Sequence, residues 1–153
     1  VFRGRYEHAL DAKGRTSLPS RFREVLAERG GDAGPRLVLT TGLDPCLVAY
    51  PMDEWLAFEE RLAAFPQFDP TVAMLRRIYV SGAIECELDK LGRLLIPQSL
   101  REHADLGRNV LWAGMGRHVE LWSKERFEAL QQKVAADEDL RASMASRLAE
   151  LGL

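Results

Sequence analysis

The chain has 153 residues, 46% hydrophobic and 29% charged, which suits one globular domain able to bury a core without disulfide or metal staples. No apolar run approaches the ~18 residues of a membrane span, and the start, VFRGRYEHALDAKGR, carries charge throughout without a signal-peptide core, so a cytoplasmic protein with no membrane partner is expected. The net charge of −2 argues against an evenly basic nucleic-acid binder, but Arg3, Arg5, Lys13, Arg15, Arg21, Arg23, Arg29 and Arg36 outnumber the acids of the first 36 residues, while Asp53, Glu54, Glu59 and Glu60 face only Arg61 between Pro51 and Pro66.

In chain order, Tyr6, His8 and Leu10 alternate as a strand does, and the turn DAKGRTSLP (11–19) follows. Pro19 then opens a helix over SRFREVLAERGG, closed by Gly30 and Gly31. RLVLTT and CLVAY read as strands around the turn residues GLDP. Pro51 opens a second helix with Trp55, Phe58, Leu62 and Phe65 on one face, and TVAMLRRIYV is a further helical stretch. The turn returns as DKLGRLLIP (89–97), followed by a hairpin around GMGR and a helical tail. In that tail Phe127, Leu130 and Val134 form one apolar stripe, and Leu140, Met144, Leu148 and Leu151 another. Core packing is the expected role of these stripes and of Trp55, Trp112 and Trp122.

Displacing the sequence by 78 residues sets Gly4 on Gly82, Glu7 on Glu85, Leu10 on Leu88, Asp11 on Asp89, Gly14 on Gly92, Arg15 on Arg93, Pro19 on Pro97 and Arg23-Glu24 on Arg101-Glu102. Six residues less sets Gly42 on Gly114, Tyr50 on Trp122 and Trp55 on Phe127. The chain is an internal repeat. Two copies are expected at about 1–66 and 79–130, with a helical linker over 67–78 and a helical tail over 131–153.

Asp at the first turn position and Gly at the fourth make a tight hairpin: the carboxylate accepts backbone N–H groups, and Gly tolerates a positive φ. Asp11, Gly14, Asp89 and Gly92 therefore shape the loops. A turn needs no cation after its glycine. Arg15 and Arg93 could each pair with their own Asp at the surface. Duplicated on equivalent hairpins, they could also sit side by side as two guanidinium forks suited to phosphate oxygens or guanine edges, a clamp for a polyanion. The copies differ: Lys13, Thr16 and Ser17 of the first stand where the second has Leu91, Leu94 and Leu95, with Lys90 restoring some charge. Arg15 with Lys13 is expected to dominate contact with such a polyanion, with Arg93 and Lys90 secondary and the apolar second loop packed on a neighbour or on the protein itself.

The doubled Asp-x-x-Gly-Arg-x-x-[Leu/Ile]-Pro unit, followed each time by FRE or LRE, resembles the MraZ family of bacterial transcriptional regulators, relatives of the AbrB-like swapped-hairpin DNA-binding proteins. The resemblance spans nearly the whole chain. It implies an α+β fold in which two internal repeats form one swapped-hairpin (double-split) β-barrel with flanking helices. It also implies a homo-oligomeric ring, octamer or dodecamer, that binds direct repeats in double-stranded promoter DNA at the nucleoid and represses its own division and cell-wall gene cluster. The family's Asp-x-x-x-Arg motif falls on Asp11 with Arg15 and on Asp89 with Arg93.

An enzyme is not expected: His8, His103 and His118 have no metal-ligand spacing, no glycine loop cradles phosphate, and no nucleophile stands beside a base. No cofactor and no metal are implied. Cys46 and Cys86 lie in apolar stretches and read as buried reduced thiols. The competing reading is an antitoxin-like protein-binding module on the same barrel.

Overall fold

The computed structural model describes residues 1–30 and 34–153. Gly31, the second of the glycines expected to close the first helix, lies outside the described residues. The chain divides into two compact units, Val1–Ser123 and Lys124–Leu153.

In the first unit each repeat supplies the same series of elements. The first gives β1 (Arg5–Ala9), β2 (Arg15–Ser17), α1 (Ser20–Arg29), β3 (Arg36–Thr41) and β4 (Leu47–Pro51), followed by α2 (Met52–Ala63) and α3 (Pro70–Leu75). The second gives β5 (Ile84–Glu87), β6 (Arg93–Leu95), α4 (Gln98–His103), β7 (Asn109–Gly114) and β8 (Val119–Ser123). Between α3 and β5 the helix widens into a π-helical segment, Arg76–Val80. Pro19, Pro51 and Pro97 each stand just before a helix, where their fixed φ suits the entry.

The strands pair across the repeats. β3 and β4 form a hairpin, β7 and β8 another, and β4 joins β8 at the middle of a six-stranded antiparallel sheet in the order β1-β7-β8-β4-β3-β5. The outer strands are exchanged: β1 of the first repeat lies on β7 of the second, and β5 of the second lies on β3 of the first. β2 and β6 form a separate two-stranded ribbon. The fold is thus α+β and antiparallel, but its hydrogen bonds do not close into a barrel, because β1 and β5 end the six-stranded ladder.

Through the exchange, the first strand of each repeat finds its ladder on the other copy. The core is correspondingly shared. Phe22 of α1 is fully buried and meets Phe2 edge-on at 5.5 Å and Tyr6 at 5.2 Å, edge-to-face pairs worth about 0.5–1.5 kcal/mol each beyond their burial. Leu100, its equivalent in α4, is also buried. Leu94 of the ribbon, flanked by Leu18 and Ile96, enters the same core as Trp112 and Leu121 of the sheet. The buried Trp112 indole Nε1 donates to Ser17 O at 3.0 Å, latching β7 to the ribbon.

Trp55, Trp112 and Trp122 are buried as expected, and so is Leu62. Phe65 is not: it lies beyond the end of α2 and is 57% exposed. Leu94, read with Leu91 and Leu95 as part of an apolar loop, is instead a core residue, whereas Leu91 and Leu95 are exposed.

The second unit consists of α5 (Lys124–Ala136) and α6 (Glu138–Glu150), separated by Asp137, whose side chain accepts the Leu140 N–H. Core packing fails as an account of most of its stripes. Phe127 is buried, but Leu130, Leu140, Met144, Leu148 and Leu151 are exposed, and α6 has no buried residue. Among the described residues no helix is long and apolar enough to cross a membrane.

Candidate nucleic-acid interface

The two hairpins are built by the same five bonds. In the first, Asp11 Oδ1 accepts the N–H groups of Lys13 and Arg15 at 2.9 Å each, and Oδ2 accepts Arg15 Nε at 2.8 Å. The backbone closes with Asp11 N on Arg15 O and Gly14 N on Asp11 O. In the second, Asp89 Oδ1 accepts Leu91 N and Arg93 N at 2.9 Å each, Oδ2 accepts Arg93 Nε at 2.8 Å, and the same two backbone bonds recur. Gly14 and Gly92 adopt φ of +88° and +76°, where a side chain would be strained. The backbone N–H groups of Arg15 and Arg93, foremost among several hydrogen bonds, hold the Asp11 and Asp89 carboxyls below the ordinary aspartate pKa.

Asp11 and Asp89 each accept two backbone N–H groups of their own loop and also hold that loop's arginine. Each carboxylate occupies only Nε, so both terminal nitrogens of Arg15 and of Arg93 stay clear of any acceptor among the described residues. The Arg15 and Arg93 side chains are 35% and 29% exposed.

The ribbon decides where these forks point. Arg15 pairs with Leu95, Thr16 with Leu94 and Ser17 with Arg93. Alternation sends Thr16 and Leu94 inward, both 1% exposed, and leaves Arg15, Ser17, Arg93 and Leu95 on one outer face. Arg15 and Arg93 are diagonal neighbours there, about 7–8 Å apart at the backbone. The arginines are adjacent; the loop tips are not, since antiparallel pairing carries Lys13 and Leu91 toward opposite ends of the ribbon. Lys13 and Lys90 are both exposed.

Two further arginines back these loops, and each comes from the other repeat. Arg23 of α1 donates through Nη1 to Leu91 O in the second loop at 3.3 Å. Arg101 of α4 lies against the first loop, its Nε and Cζ 3.0 Å from where a Cβ on Gly14 would stand. Arg101 Nε is buried without a hydrogen-bond partner. Sequence reasoning matched Arg23 to Arg101 but gave them no role; their recurrence at the same displacement as the turns was the available signal. Beside Asp11, Arg101 and Arg108 line an open cleft of about 620 Å³.

The histidines are dispersed. His8 is on β1, its pKa lowered by burial and by the Arg23 charge; His103 Nε2 lies 3.4 Å from Asp44 O; and His118 packs 5.0 Å from the Tyr50 ring. Among the described residues no group of three or more His, Cys, Asp or Glu is placed to hold a metal ion.

Fold and site define a duplicated α+β protein with one Asp-braced arginine hairpin per repeat. The family model described as "MraZ protein, putative antitoxin-like" matches residues 1–78 and again 79–150. A protein of Desulfitobacterium hafniense named Transcriptional regulator MraZ is 42% identical over 153 residues, covering 100% of both chains. Its namesake in Heliobacterium modesticaldum is 45% identical over 135 residues, 88% of this chain and 90% of that one, and the Caldanaerobacter subterraneus protein of that name is 46% identical over 125 residues, 82% of each. The chain belongs to the MraZ family.

Proposed function

We propose that this protein is a sequence-specific, double-stranded DNA-binding transcriptional regulator. It works at the nucleoid, binds direct repeats upstream of its own gene and represses the division and cell-wall cluster found there. Arg15, Lys13, Arg93 and Lys90 contact the DNA, while Asp11, Gly14, Asp89 and Gly92 hold the loops in shape. Arg101 and Arg108 extend the cationic surface along the cleft beside Asp11. The observation that carries this reading is the doubled brace, which ties each guanidinium by Nε alone and leaves two adjacent forks on one face. The relatives' shared name supports it.

The exchanged repeats are, in this reading, one swapped-hairpin barrel unit opened along a seam, and protomers assemble into a ring of eight or twelve. The exposed apolar residues of α5 and α6, with Leu91 and Leu95, supply self-association surface. A ring also answers the unfavourable net charge of −2: successive protomers engage successive repeats, and linked sites gain ~10²–10⁴ in avidity. Gel shifts on the DNA upstream of its own gene, with wild type and Arg15→Ala across a salt series and with mass by light scattering, test it. Binding that ignores both the substitution and salt would overturn the reading. The family description and the uncovered face of α6 favour a second reading, a protein-binding antitoxin-like module, which predicts a co-purifying partner instead of a homo-oligomer.

A further inference from the structure

A second concave site lies in the first unit. There, Tyr50, Phe58, Tyr79, His118, Asp44 and Glu120 line an open cavity of about 290 Å³, at the small end of the ~300–1,000 Å³ usual for ligand sites. Its floor is aromatic: Tyr50 lies 6.5 Å from Phe58 in a stacked arrangement, 5.0 Å from His118 and 6.4 Å from Tyr79. The Tyr50 and Tyr79 hydroxyls are 2.7 Å apart and share one hydrogen bond. Tyr79 is brought here by the π-helical segment, whose Tyr79 carbonyl accepts Thr40 Oγ1 at 2.6 Å; such segments are rare and frequent at functional sites.

The charge of the cavity is one-sided. Asp44 and Glu120 line it, no lysine or arginine does, and neither carboxylate forms an ion pair with any described residue. Glu120 Oε1 accepts Trp122 Nε1 at 3.0 Å, which fixes the side chain without neutralising it. Cys46 lines the same cavity, and burial, foremost, with the charges of Glu120 and Asp44 pushes its thiol pKa up. Burial lowers the His118 pKa, so near neutral pH the ring offers an aromatic face and not a competing cation.

We propose that this cavity binds a small organic cation, an alkylammonium compound, with the charge held between Asp44 and Glu120 and the alkyl groups on the faces of Tyr50, Phe58 and Tyr79. Choline and its uncharged isostere 3,3-dimethylbutan-1-ol are suitable probes, titrated into the full chain by calorimetry. Choline is expected to bind with a dissociation constant of about 1–10 mM or tighter, about tenfold more tightly than the isostere. Glu120→Gln, whose amide oxygen can still accept the Trp122 bond, and Asp44→Asn, on an exposed turn, are each expected to weaken choline about fivefold while leaving the isostere unchanged. Equal affinity for choline and the isostere, choline binding indifferent to both substitutions, or no saturable choline binding would each overturn the proposal.

Discussion

Exchanging the two loop tips probes the asymmetry between the hairpins most directly. Arg15 and Arg93 are held identically, each by Nε on its aspartate at 2.8 Å, so the brace gives neither an advantage. The tips differ at two exposed positions: Ala12 and Lys13 in one stand where Lys90 and Leu91 stand in the other, so each tip carries one lysine at a different place. A guanidinium that meets phosphate contributes about 0.9 to the slope of log K against log salt, and one that meets a guanine edge bidentately contributes about 1–3 kcal/mol, or roughly 5- to 150-fold. With two neighbouring protomers on two direct repeats, losing Arg15 from each should lower affinity by at least about 25-fold or flatten the slope by about 1.8. Arg93→Ala should cost less. Lys13→Leu, which takes away the first tip's lysine, should remove about one phosphate contact per engaged protomer, and Leu91→Lys, which gives the second tip a lysine beside Lys90, should add one. Fluorescence anisotropy on promoter DNA at several salt concentrations measures all four, with thermal melts confirming that the partly exposed side chains leave stability unchanged. Equal losses from Arg15→Ala and Arg93→Ala, or no change in slope from the tip exchange, would refute the reasoning.

Gly14→Ala should destabilise the protein by about 2 kcal/mol or more in urea unfolding, because its φ is +88° and the new Cβ would stand 2.9 Å from the Ile96 backbone carbonyl. Gly92→Ala should cost about half that, since its Cβ meets the movable end of the Arg23 side chain. The braces should resist acid: because the Asp11 and Asp89 pKa values are depressed, their contribution is complete above the ordinary aspartate value and disappears only as pH falls through the lowered one. Carboxyl-carbon NMR titration with midpoints at or above the ordinary value would contradict this. Burial pushes the Cys46 thiol up to about 12 and the Cys86 thiol to about 11, so Ellman's reagent should label neither in the native protein at pH 8 and both once it is unfolded.

The hairpins, the repeat and the helix entries were legible in the chain because their causes are local. An aspartate four residues before an arginine, with glycine between, contains every donor and acceptor of the brace, and a proline fixes the φ that starts a helix. Which strand lies beside which was decided in three dimensions. Alternation in β1 shows which side chains share a face, but an apolar face fits its own hairpin or another's equally well, and only the assembled core places β1 on β7 and β5 on β3. From that exchange follow the adjacency of Arg15 and Arg93, the crossing of Arg23 and Arg101 to the opposite loops, and the burial of Leu94 between exposed Leu91 and Leu95. Helical periodicity likewise set the stripes of α6 without supplying a surface to cover them, and it left Phe65 exposed just past the end of α2. Side-chain type and spacing dictate bonds that span a few residues; contacts between distant segments depend on which of several equally apolar surfaces the chain brings together.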